Sequence, residues 1–96
     1  MKIEFSASAV DDLKNIKVYY EDQQVPHIDT QLISDIINHI ETLTNNPEIG
    51  RVVPEFDEPY IRELIHSPFR IVYTLNKRHI QVIRVWRSER LLKLPG

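Results

Sequence analysis

The hydrophobic period of the chain changes once, and it does so across a proline-rich stretch. Before Pro47 apolar residues recur at helical spacing, and after Pro59 they alternate. A chain with that order must lay its helices on a sheet built mainly from its second half, an α+β architecture rather than an interleaved α/β one.

Lys2-Ile3-Glu4-Phe5 alternates and reads as a short opening strand with Ile3 and Phe5 inward. Ser6 or Ser8 then opens a helix. With Ser8 as N-cap, Asp11 stands at the third helical position and Asp12 just behind it, where the helix dipole favours negative charge. Ala9, Leu13, Ile16 and Tyr20 form one stripe on a helix over residues 7–24. Gln23-Gln24-Val25-Pro26 ends it, because Pro26 has no backbone N–H and pushes Val25 toward an extended geometry. The second helix carries Ile28, Leu32, Ile33, Ile36, Ile37, Ile40 and Leu43 and stops at Asn45-Asn46-Pro47. So short a link makes the two helices antiparallel neighbours.

From Pro47 to Pro59 three prolines and Gly50 mark a loop. Tyr60–His66, Phe69–Leu75 and His79–Trp86 are strands, separated by Ser67-Pro68 and Asn76-Lys77-Arg78, which are hairpin-sized connections. The expected fold is a single domain, residues 1–96: an N-terminal strand, then an antiparallel helical hairpin on one face of a mainly antiparallel four-stranded sheet. The first strand belongs at an edge or beside the last strand.

The chain has no cysteine, which excludes disulfides, Cys-ligated zinc or iron–sulfur centres and a thiol nucleophile. No stretch reaches membrane-spanning length, and the N-terminus carries acids too early for a secretory signal, so a soluble cytoplasmic protein without a membrane partner is expected. The net charge of −2 hides an uneven distribution. Residues 1–60 hold four bases against twelve acids, a balance of −8, whereas residues 61–96 hold eight bases against two acids, a balance of +6. That asymmetry points to a partner-facing surface on the basic half, not to an all-over phosphate binder.

In Phe69–Leu75, Phe69, Ile71, Tyr73 and Leu75 share one face, expected under the helices. Arg70 then projects onto the uncovered face, where Arg62 and Arg84 join it if the register allows. The competing reading is that these arginines pair with acids of the helices or solvate the sheet. Trp86 reads as a core-edge residue, and Arg87 and Arg90 form a pair suited to bidentate contacts with phosphate or carboxylate. His27, His39, His66 and His79 lack metal-ligand spacing, and His39 reads as a packing residue. No nucleophile elbow, phosphate-binding glycine loop or paired-carboxylate motif is present, and no cofactor or metal is implied.

The chain resembles the RelE/ParE superfamily of toxins from bacterial type II toxin–antitoxin modules over nearly its whole length. The resemblance is carried by Phe5-Ser6 with Ala9 and Asp12-Leu13, by Asn46-Pro47-Glu48-Ile49-Gly50-Arg51, by Tyr60-Ile61-Arg62-Glu63-Leu64, by Phe69-Arg70-Ile71-Val72-Tyr73, and by Ile83-Arg84-Val85 before the basic tail. It implies a helical hairpin on an antiparallel sheet and a toxin held silent, in a complex, by a cognate antitoxin whose C-terminal segment wraps it. RelE-like members cut mRNA on the ribosome; ParE-like members inhibit DNA gyrase.

Where many members have a histidine followed by glycine after the last strand, this chain has Arg87-Ser88, and no tyrosine follows Tyr73. Arg70 and Arg87 are the catalytic residues if the chain is a ribonuclease, but arginine is a poor general base. The ParE-like reading, gyrase inhibition, is therefore preferred. A ribosome-dependent endonuclease is the alternative, and a non-toxic relic that only binds antitoxin is a third reading. Arg62, Arg70, Arg84, Trp86, Arg87 and Arg90 are the residues expected at the antitoxin- or target-binding face.

Overall fold

The computed structural model describes residues 1–23 and 27–88. Its elements are β1 (Lys2–Phe5), α1 (Ala7–Asp22), α2 (Ile28–Glu41) with a 3₁₀ turn at Thr42–Thr44, β2 (Arg51–Val52), β3 (Ile61–His66), β4 (Phe69–Leu75) and β5 (His79–Arg87). They form a sheet ordered β1-β5-β4-β3-β2, in which β1 runs parallel to β5 and every other pairing is antiparallel. The first strand, expected at an edge or beside the last strand, lies at both. The fifth strand, β2, falls within the expected Pro47–Pro59 loop; two residues are too few for a period to register.

Ser6, not Ser8, caps α1. Its backbone is extended (φ −68°, ψ 161°), its Oγ accepts from the Ala9 N–H at 3.0 Å, and the same hydroxyl donates to the Ile83 carbonyl at 2.9 Å. Strand pairing forces this choice, because the Ser6 N–H donates to the Val82 carbonyl and ends β1 one residue earlier. The first turn of α1 therefore holds no acid, and Asp11 and Asp12 stand in the second. Of the expected break at Gln23-Gln24-Val25-Pro26, Gln23 is the C-cap of α1 and the other three lie outside the described residues. At the start of α2, His27 occupies the cap position in a left-handed conformation, φ 65°.

The helices cover one sheet face. Ala9, Ile16, Ile36, Ile40 and Leu43 pack on Leu64, Phe69, Ile71, Tyr73, Ile80, Val82 and Val85, all buried. The alternation of β4 is confirmed on that face. Within β5 the inward parity changes, since Tyr73 stands opposite Val82 but Val72 stands opposite Arg84, leaving Ile83 as a bulge. Inward residues are Ile80 and Val82 before it, Val85 and Arg87 after it.

The opposite face is not uncovered, and here the sequence expectation is corrected. Arg70 and Val72 are buried along with Phe69, Ile71 and Tyr73, because the segment after β2 crosses this face, burying Val53 and placing Glu55 on Arg70. The preceding loop is fixed from the core: the Tyr73 hydroxyl donates to the Pro47 carbonyl at 2.9 Å and accepts from the Gly50 N–H at 3.0 Å. Gly50 is required by close approach, since a Cβ there would lie 2.5 Å from the Tyr73 hydroxyl and 2.7 Å from the Glu63 carbonyl.

Candidate partner-binding site

The register places the candidate arginines. Arg70 stands opposite Trp86 and Val72 opposite Arg84, so Arg70, Arg84 and Trp86 share the face away from the helices. Arg62 stands opposite Tyr73 and Arg87 opposite Phe69, so both belong to the helix side. The structure thus joins Arg84 to Arg70 and separates Arg62 from them. Arg90 lies outside the described residues.

Arg62, Arg70 and Arg84 hydrogen-bond within the molecule. Arg62 donates through Nε to the Pro59 carbonyl at 3.0 Å and through Nη1 to the Gly50 carbonyl at 2.9 Å, knitting two loop segments together. Arg70 donates through Nε to Glu63 and through both terminal nitrogens to Glu55 at 2.8 and 2.9 Å. Glu63, 1% exposed, also accepts from Arg51 Nε at 2.7 Å. The result is an alternating chain, Arg51–Glu63–Arg70–Glu55, buried at its two middle members and exposed at its ends, with every contact charge-assisted. The hydrogen bonds from Arg70 hold the Glu55 carboxyl below its ordinary value against its partial burial, and Glu55 and Glu63 in turn hold the Arg70 proton more tightly.

Arg84 makes a bidentate contact with Asp12 of α1, at 2.8 and 3.0 Å, which raises its affinity for its proton. Asp12 also accepts from the Val85 N–H at 2.8 Å. That bond matters because β1 ends at Phe5 opposite Val82, leaving the last residues of β5 at an open edge. The Arg84 guanidinium stacks 4.7 Å from the ring centre of half-buried Trp86.

Beyond this fastening, α1 and the end of β5 diverge into a groove of about 200 Å³, lined by Asp12, Asn15, Ile16, Tyr19, Tyr20, Phe69, Val85, Trp86 and Arg87. Arg87 spans its floor, 5.7 Å from the Phe69 ring centre and 5.8 Å from that of Tyr19. Tyr19 packs edge-on against Tyr20 at 5.0 Å. Among the described residues no three metal-ligating side chains stand together. No described helix is long and apolar enough to cross a membrane.

Sequence reasoning missed Glu63, Glu55, Asp12 and the tyrosines as parts of this surface. One signal existed for Glu63. The two-residue Ser67-Pro68 turn sets His66 opposite Phe69, which puts Glu63 opposite Val72 and diagonal to Arg70. Nothing local foretold Glu55 or Asp12, whose contacts span 15 and 72 residues.

This arrangement of hairpin and sheet recurs in solved toxin structures. It is similar to a chain of a chromosomal ParDE TA system from P. aeruginosa (TM-score 0.77, 24% identity, covering 91% of this chain and 95% of that one). It is also similar to a YoeB/ParE toxin from Agrobacterium tumefaciens (TM-score 0.65, 17% identity, 91% and 98% covered). A third likeness is to a chain of the E. coli DinJ-YafQ complex (TM-score 0.61, 15% identity, 94% and 96% covered). No curated protein sequence matches the chain. The fold is thus that of the RelE/ParE-type toxins. The family model described as the ParE toxin of the type II toxin-antitoxin system, parDE, matches residues 3–92, and the chain belongs to that family. It is a toxin of a type II toxin–antitoxin system.

Proposed function

We propose that this toxin acts by inhibiting DNA gyrase and is silenced by a cognate antitoxin. The observation that carries the choice of target is the state of Arg70. A phosphodiester in transition to a pentacoordinate phosphate needs a cation free to receive its charge. Arg70 is 6% exposed and already bound by two carboxylates, so a phosphate must displace Glu55 and Glu63 from a buried site. Three of the four imidazoles fare no better as general bases for it: His39 and His66 are bound to each other, and His79 is bound to Asn76. Inhibition by binding needs neither group.

The antitoxin reading is supported by the family and by the groove between α1 and β5. Four aromatic rings and an arginine in one concavity suit an apolar or aromatic anchor from an extended segment, with Arg84 at its border against Trp86. Solved relatives include the DinJ-YafQ toxin-antitoxin complex.

The test is a labelled-methionine pulse just after induction from a tightly repressed promoter, with DNA-damage signalling followed in the same culture. Continued translation with a rising damage response, and loss of supercoiling by purified gyrase in the presence of the toxin, is the expected result. Immediate collapse of protein synthesis means a ribosomal target instead, and unchanged growth means a relic that only binds antitoxin.

A further inference from the structure

Two histidines that stand 27 residues apart and show no metal-ligand spacing meet in the fold. His39 is in the last turn of α2 and His66 is the last residue of β3, and their Nδ1 atoms are 2.9 Å apart. Both residues are half-buried. The ring centres are 5.1 Å apart, exceeding the nitrogen separation by about two ring radii, so the two Nδ1 atoms face each other along one line. A metal chelate needs both lone pairs aimed at a third point, which this alignment does not provide. The alignment is that of an N–H···N hydrogen bond.

Such a bond needs one donor and one acceptor. It exists when both rings are neutral, one carrying its proton on Nδ1, and it strengthens when the donor ring is cationic. A second proton turns both nitrogens into donors and both rings into cations. We propose that His39 and His66 form an acid-released clasp that fastens the C-terminal turn of α2 to the β3–β4 hairpin and opens when the pair takes up its second proton.

Among the described residues, the surrounding charges do not supply another partner for the bond. On α2, Asp35 lies one turn before His39 and accepts from Gln31 at 2.8 Å, and Glu41 follows on the exposed side. On the sheet, Arg87 stands two strands away in the row His66–Phe69–Arg87, and Arg62 is held by loop carbonyls. The facing helix α1 contributes Asp12, bound to Arg84. Thr42 caps the same turn by donating to the His39 carbonyl at 2.6 Å, so the turn itself is well formed and has a definite seat to leave.

Burial first, and the neighbouring His66 second, lower the His39 pKa from the ordinary value of 6.5. The sign follows. The folded protein resists a proton that the unfolded chain accepts, so this contribution to stability is complete above pH 6.5 and is lost as the pH falls below it toward the folded-state value.

The discriminating variant is His66→Asn. An asparagine amide reaches the Nδ1 position, donates to a neutral His39 through its nitrogen and accepts from a cationic His39 through its oxygen, so the clasp survives in both states. Stability is measured by urea unfolding at about pH 7.5 and about pH 5 for the wild type and the variant, beside a nitrogen-15 NMR titration of the wild-type rings. The expected result is a several-fold larger loss of the folding equilibrium constant in the wild type than in His66→Asn, with the two rings titrating in separate steps. Equal pH dependence in the two proteins overturns the proposal. If the variant does not fold, the wild-type NMR decides alone: two independent titrations at ordinary histidine values overturn it.

Discussion

At the scale of single residues the most constrained group is Glu63. It sits on β3, is 1% exposed, and is neutralised by Arg70 beneath Glu55 and by the outlying Arg51. Arg70→Ala removes the buried cation and leaves the carboxylate without its main partner, a class of change that costs about 3–5 kcal/mol. Replacing both members, as Arg70→Met with Glu63→Leu, restores an apolar seat next to Val53 and Val72 and is expected to recover most of that loss in urea unfolding. The same pair of variants separates structure from chemistry. The double variant is expected to remain toxic on expression if Arg70 serves only the fold, whereas a catalytic guanidinium leaves the double variant stable and inert.

At the scale of elements, what the sequence made legible is what repeats. The helical stripes of Ala9 and Ile16 and of Ile36 and Ile40, and alternation such as that of Phe69, Ile71 and Tyr73, located both helices and four strands, because each repeats a contact with the same core. Features that occur once stayed hidden. The bulge at Ile83 is a single inserted residue, β2 is two residues long, and the Asp12 carboxylate fastens α1 to β5 across 72 positions with no local trace. The site was less legible than the fold for the same reason: residue types named Arg62, Arg70 and Arg84, but only the register showed that their charges are largely spent inside the molecule. Asp12 does two tasks, terminating the open edge at the Val85 N–H and pairing with Arg84. Asp12→Ala is therefore expected to cost about 1–3 kcal/mol, the penalty for an orphaned backbone donor, and to speed hydrogen exchange at Val85 more than at Ile71 on the neighbouring strand.

For the whole molecule, the division into an acidic first part and a basic second part serves the fold at two ion pairs. Asp12 pairs with Arg84 and Glu55 with Arg70, so acids from the first sixty residues meet bases from the remainder. What is left for a partner is shape and apolar surface more than net charge, and the aromatic groove holds most of both. Tyr19 is the most informative position within it. Its ring is 51% exposed, so removing it disturbs the core little, while it lines the groove and stacks near Arg87. If an antitoxin segment seats its anchor there, Tyr19→Ala weakens the toxin–antitoxin complex by about 2 kcal/mol, roughly thirtyfold in Kd, with a change in melting temperature of no more than about 2 °C. The affinity of that complex is expected to fall only modestly with added salt, because Arg70 and Arg84, two of the arginines that screening would act on, are already paired within the toxin. Calorimetric titration of purified antitoxin into both proteins at low and high salt checks the two statements together. Unchanged affinity for Tyr19→Ala moves the antitoxin off the groove, and a steep salt dependence returns it to the arginines.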